Sequence, residues 1–227
     1  MISPLYFRLA VILVAFPLVL VYVMPSFDFV SRLFAGDRSS WFSFWLLAIS
    51  IEWATLAVVL ATYRDRKAAL SSVGFPIRLS RNDVIVLSIV FGATAALAIV
   101  GAGRPQDFLS RLPQGIHLFI PPPEITARLF WIVVSATAAL CEEILWRGVA
   151  INELKKLTGS TAVGVIVSSF SFAFFHGGLE QGAMVFSYRF GVGLLFSWIY
   201  LSRRDLKLPI LIHFLADTSA LGAIQFG

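Results

Sequence analysis

Seven apolar stretches, each close to the length of a membrane-spanning helix and separated by polar connectors, constrain this chain more than any other feature. They run Leu5–Met24, Trp41–Tyr63, Val84–Gly101, Ile125–Leu145, Thr161–Phe175, Ala183–Leu201 and Leu208–Phe226. A helix of about 20 residues matches the hydrocarbon thickness of a bilayer, and a backbone in lipid must satisfy its own hydrogen bonds. The pattern predicts an all-α, polytopic bundle of seven transmembrane helices. An eighth, re-entrant or interfacial helix fits around Pro105–Ile120, ahead of the breaker run Pro121-Pro122-Pro123. With 58% hydrophobic and 14% charged residues, the chain lies outside the range of soluble domains. No repeat, low-complexity tract or flexible linker divides residues 1–227, which read as one membrane domain. Arg8 ahead of an apolar core has the look of a signal peptide. Six further spans and the lack of a small-residue cleavage site make it an uncleaved anchor instead.

A net charge of +5 raises the question of nucleic acid, but the basic residues are scattered through short connectors and form no single patch. Their distribution concerns orientation. With seven crossings, one side collects Arg8, Arg64, Arg66, Lys67, Arg78, Arg81, Lys155, Lys156, Arg203, Arg204 and Lys207, and the other only Arg32, Arg38, Arg104 and Arg111. The cytoplasmic bias of basic residues predicts the N-terminus inside and the C-terminus on the opposite side. The compactness suits a bacterial plasma membrane. The partners expected are membrane lipid and a peptide, with no nucleic acid.

Ionisable groups in a bilayer are costly, so each is a functional candidate. In the fourth span Glu143 and Arg147 stand four residues apart on one helical face and can pair. Glu142 points about 100° away and lacks that partner. The fifth span ends Phe172-Ala173-Phe174-Phe175-His176, and the seventh carries His213 and Asp217 four residues apart. Gly159 is the expected turn between the fourth and fifth spans. Glu142 lies as far before it as His176 lies after it, so an antiparallel hairpin brings the two level. His213, six residues beyond Lys207, and Glu142, six before Gly148 taken as the start of the exit loop, come to similar depth below the cytoplasmic face.

Glu-Glu-x-x-x-Arg at 142–147, Phe-x-x-x-His at 172–176 and His-x-x-x-Asp at 213–217, in this order on separate spans, resemble the CAAX-protease and bacteriocin-processing family of intramembrane proteases. The resemblance covers about Ile125–Ala220. It implies peptide-bond hydrolysis in or at the membrane, on a substrate that in some members carries a lipid. Glu142, desolvated beside His176, is suited to act as general base on water. His213 is suited to donate to the tetrahedral oxyanion. Glu143 with Arg147 reads as supporting scaffold, and Phe172, Phe174 and Phe175 as packing or groove lining.

Family members often carry Asn at the last motif position, and this chain has Asp217. An ionised carboxylate only accepts hydrogen bonds. Asp217 is therefore expected to hold a ring N–H of His213 or to bind a metal. No cofactor is required in the preferred reading. The carboxylate–histidine pairing keeps open a zinc site of Glu142, His176 and His213. A catalytically silent peptide-binding or immunity protein is the alternative from another class. A proton-coupled transporter lacks the expected repeat symmetry. Cys141, the one cysteine, reads as a small apolar residue of its helix. Glu52 and Arg189 are further intramembrane charges, suited to pair with each other or to hydrate a cavity. His117 falls in a far-side loop.

Overall fold

The computed structural model describes residues 3–26, 39–76, 80–100, 119–179 and 182–223, and these are helical with turns between. The expected re-entrant segment, up to residue 118, and His117 lie outside the described residues. Among the described residues there are eight helices: α1 (Pro4–Val23), α2 (Ser40–Ala61), α3 (Arg66–Ser72), α4 (Arg81–Val100), α5 (Ile125–Thr158), α6 (Thr161–Phe175), α7 (Ala183–Arg203) and α8 (Lys207–Thr218). A short turn, Ala220–Ala223, follows α8. Five of them, α1, α2, α4, α5 and α7, are long and apolar enough to cross a membrane, so this is a polytopic helical membrane protein.

The main correction to the sequence reading is α5. The fourth apolar stretch does not end near Leu145, and Gly148 is not in an exit loop. One 34-residue helix continues to Thr158. At about 1.5 Å per residue it is roughly 51 Å long, well beyond a hydrocarbon core of about 30 Å. Its charged last turns resemble a connector in sequence because the helix has left the apolar zone. Over Glu143–Ala150 it widens into π turns, a distortion often found at functional sites. Ser168 Oγ donates to Trp146 O at 2.8 Å, and Asn152 Nδ2 donates to Gly148 O at 2.6 Å, so side chains serve carbonyls within the widened stretch. Gly159 then closes the helix at φ +73°, and Ser160 caps α6 by accepting from Val163 N–H.

α1 carries π turns on either side of Pro17. Proline has no N–H to bond the carbonyl four residues back, which is Leu13 O. Ser171 Oγ of α6 donates to that oxygen at 3.1 Å, so the break in one helix becomes a contact with another. Where α7 crosses α6, a Cβ on Gly193 would sit 2.9 Å from Ser169 Cβ. The absence of a side chain sets that close approach, the usual way for helices to associate in lipid.

One end of the bundle is tied by charge. Arg8 pairs with the buried carboxylate of Glu153 at 2.9 Å and donates to Thr62 Oγ1 at 3.2 Å. Lys156 and the Tyr63 hydroxyl reach the other Glu153 oxygen at 3.0 and 3.1 Å. Lys207 pairs with Asp83 at 3.4 Å, and Leu206 N–H bonds Gly74 O at 3.1 Å. Arg8, Lys156 and Lys207, which the charge bias assigns to one membrane face, each pair with a carboxylate.

Arg128, not singled out in the sequence, lies fully buried one turn into α5. It donates to Ala98 O at 2.8 Å, Leu97 O at 3.1 Å and Leu221 O at 2.8 Å. These carbonyls belong to helix C-terminal ends, which lack intrahelical donors and carry partial negative charge. Replacing Arg128 by Met is expected to cost about 2 kcal/mol or more, since charge-assisted bonds of this kind contribute about 1.5–3 kcal/mol each. A thermal-unfolding scan in detergent checks it. An unchanged Tm would remove this residue from the scaffold.

Candidate active site

The π segment of α5 and the α-turn just before it present Glu142, Glu143 and Arg147 to α6, α7 and α8. All three are buried, at 3%, 0% and 1% exposure. Glu143 Oε1 lies 2.9 Å from an Arg147 guanidinium nitrogen and 2.9 Å from His213 Nδ1. The Arg147 guanidinium stacks 4.2 Å from the Phe172 ring centre and 5.2 Å from that of Phe196, a favourable arrangement for a desolvated cation. Glu143 therefore joins two charged partners from different parts of the chain.

Glu142 is placed differently. Its Oε2 lies 3.8 Å from His176 Nε2 and 3.9 Å from His213 Nε2, and among the described residues it has no hydrogen-bond partner. Such gaps are too long for direct hydrogen bonds and of a length that one water can bridge. His176 donates from Nδ1 to Phe172 O at 2.9 Å, because a carbonyl only accepts. In the neutral ring that leaves Nε2 as an acceptor facing Glu142. The turn at Gly159 brings α5 and α6 level, which is how residues on either side of it meet.

The expectation for Asp217 needs correcting. Its Oδ2 lies 3.6 Å from His213 Nε2, beyond hydrogen-bond distance, and its side chain is 31% exposed. The short bond to the His213 ring comes from Glu143, at Nδ1. Asp217 is held through its backbone, where Trp131 Nε1 donates to its carbonyl at 3.0 Å. Sequence spacing joined His213 to Asp217 because they share a helix face. The Glu143 contact spans 70 residues and carries no local signal.

Among the described residues, no three His, Cys, Asp or Glu side chains are arranged to hold a metal ion. Ligands about 2.0–2.2 Å from a tetrahedral zinc lie about 3.3–3.5 Å apart. The 3.8 and 3.9 Å gaps around Glu142 exceed that, and the residues as placed do not fit the zinc set.

Glu52 and Arg189 do not form an ion pair with each other. Glu52 is 3% exposed and lies within electrostatic reach of Glu142, His213 and Asp217. Arg189 lies within reach of His176. Phe172 and Phe175 flank the His176 ring at 4.4 and 4.9 Å between centroids, and Cys141 is buried in the core. Ahead of Glu142 along α5, the helices α2, α4 and α5 form an open apolar groove of about 240 Å³, lined by Trp53, Phe91, Ile132, Val133, Thr137 and Leu140 and not by Glu142 itself.

Comparison with known proteins bears on the stretch of chain that carries these residues. Residues 124–219 match the family described as type II CAAX prenyl endopeptidase, Rce1-like. No curated protein and no solved structure matches the chain. The matched stretch begins just before α5 and ends just after α8. It holds every site residue named above except Glu52.

Proposed function

Because residues 124–219 form a domain of the Rce1-like type II CAAX prenyl endopeptidase family, a family of proteases, we propose that this membrane protein hydrolyses a peptide bond of a membrane-associated substrate, with Glu142 as general base. The observation that carries the reading is the placement of Glu142 Oε2, buried, without a hydrogen-bond partner and 3.8–3.9 Å from two imidazole nitrogens. A carboxylate committed to an ion pair is a weak base. Glu143 meets the Arg147 charge and leaves Glu142 outside that pair.

Each group then has a task. A water touching Glu142 and His176 Nε2 gives a proton to Glu142 as its oxygen bonds the carbonyl carbon. The carbonyl π electrons move to oxygen, and His213 stabilises the oxyanion from Nε2–H. That donation needs a ring carrying both protons, for which Glu143 at Nδ1 and Asp217 beside Nε2 supply counter-charge. When the C=O bond re-forms and the C–N bond breaks, Glu142 returns its proton to the leaving nitrogen. Each step uses the donors and acceptors at hand.

Seven crossings, made by α1, α2 and α4–α8, with the Arg8–Glu153 end in the cytoplasm, suit the charge distribution. The α3 helix lies at that face. The apolar groove that ends at Leu140, two residues before Glu142 on α5, suits an apolar segment of the substrate. The test is cleavage of a tagged membrane peptide by purified protein and by its Glu142→Ala variant. Equal cleavage by both refutes the reading.

A further inference from the structure

Glu52 belongs to α2, outside the matched residues, yet it is buried at 3% exposure, between Ile51, which packs on the core cluster that holds Cys141 and Ile144, and Trp53, which lines an apolar groove with Leu140. Among the described residues its Oε2 has no hydrogen-bond partner. An orphaned carboxylate oxygen inside a membrane helix is expensive, and a chain keeps one where something else satisfies it. Glu143 has Arg147 and His213, and Glu153 has Arg8, Tyr63 and Lys156. Among the described residues Glu52 has no such partner, and its chain neighbours Ile51 and Trp53 pack beside the stretch of α5 that leads into Glu142.

The bilayer sets a requirement on the substrate as well. A peptide offered for hydrolysis must be extended at the bond to be cut, so its N–H groups have left their own helix, and lipid provides no acceptor. The proposed mechanism already occupies the other groups. Glu142 and His176 take the two hydrogens of the water, and His213 serves the oxyanion.

Resting on the proposed peptidase reading, we infer that Glu52 is a substrate-binding residue that accepts a backbone N–H of the extended peptide beside the scissile bond. The substrate class is then a peptide unwound within the membrane, held on its N–H side by α2 and on its carbonyl side by α8. The amino-terminal half of the chain contributes directly to recognition.

The experiment compares wild type, Glu52→Leu and Glu52→Gln on peptides N-methylated at one backbone position at a time around the cleaved bond. Removing one such acceptor is expected to lower kcat/KM of Glu52→Leu about 10- to 100-fold. Glu52→Gln keeps an amide oxygen that still accepts, and should stay within about tenfold of wild type. One N-methyl position should cost wild type a similar factor and cost Glu52→Leu nothing further. The Tm of Glu52→Leu should equal or exceed that of wild type, because an unsatisfied polar group gives way to an apolar one. The inference is overturned by Glu52→Leu kinetics equal to wild type, by N-methyl penalties equal in both proteins, or by a fall in Tm or failure to fold. The last outcome would assign Glu52 to scaffold. If wild type cleaves while Glu142→Ala does not, and Glu52→Leu matches wild type, this inference alone fails. If wild type cleaves nothing, the peptidase reading has failed first.

Discussion

A Glu142→Gln protein is expected to fold normally and to cleave its substrate about a thousandfold more slowly in single-turnover kinetics, with substrate affinity close to that of wild type. Positioned proton transfer contributes about 10²–10⁴ in rate, and glutamine keeps the volume and hydrogen-bonding shape of the side chain while giving up the base. Among the described residues Glu142 makes no hydrogen bond, and the imidazole nitrogens of His176 and His213 lie 3.8 and 3.9 Å from it. Neutralising it therefore leaves no partner stranded, and Tm should hold or rise. The measurement is a quench time course beside a melt of the same preparation. A rate within tenfold of wild type rules out proton transfer by Glu142. A large loss of Tm would make the carboxylate a structural group.

Arg147→Met is expected to do the opposite, failing mainly as a fold. It leaves Glu143 fully buried, with one carboxylate oxygen unpartnered and the other facing only His213. It also strips the cation from between Phe172 and Phe196. Breaking a buried pair from one side costs about 3–5 kcal/mol, while replacing both members by apolar residues is often neutral. The double variant Glu143→Leu with Arg147→Met should therefore recover most of the stability lost by Arg147→Met alone. It should remain inactive, because His213 has lost the bond at Nδ1 that orients its ring. Chemical denaturation and the cleavage assay on both variants separate the roles. A double variant as active as wild type would show that Glu143 does not orient His213.

Sequence and structure agree where the information is local and periodic. Five of the seven expected spans, the Gly159 hairpin and the approach of Glu142 to His176 follow from counting along a helix, whereas α6 and α8 are shorter than a span. The reading stopped short where a contact depends on the assembled bundle. The tail of α5 resembled a loop because Asn152, Glu153, Lys155 and Lys156 interrupt the apolar pattern, yet Glu153 is buried against Arg8, 145 residues away. Helix spacing linked Glu143 only to Arg147 and His213 only to Asp217, since i,i+4 pairs are the contacts a single helix reveals. The bond between Glu143 and His213 joins two helices. Arg128 did have a local signal, a lone arginine one turn into an apolar run, and that rule already marks such residues as partnered. The placement of Glu52 beside the site had none, because nothing in α2 says which face turns toward α5.

The Arg8–Glu153 tie also concerns time. A ribosome adding about 5–20 residues per second delivers Glu153 on the order of ten seconds after Arg8. During that interval α1 is already in the membrane, while the carboxylate that will fix it does not yet exist. Thr62 and Tyr63, which also meet Arg8, are made well before Glu153, so the buried ion pair is the last of these contacts that can form. It closes on a helix that α2 can already hold.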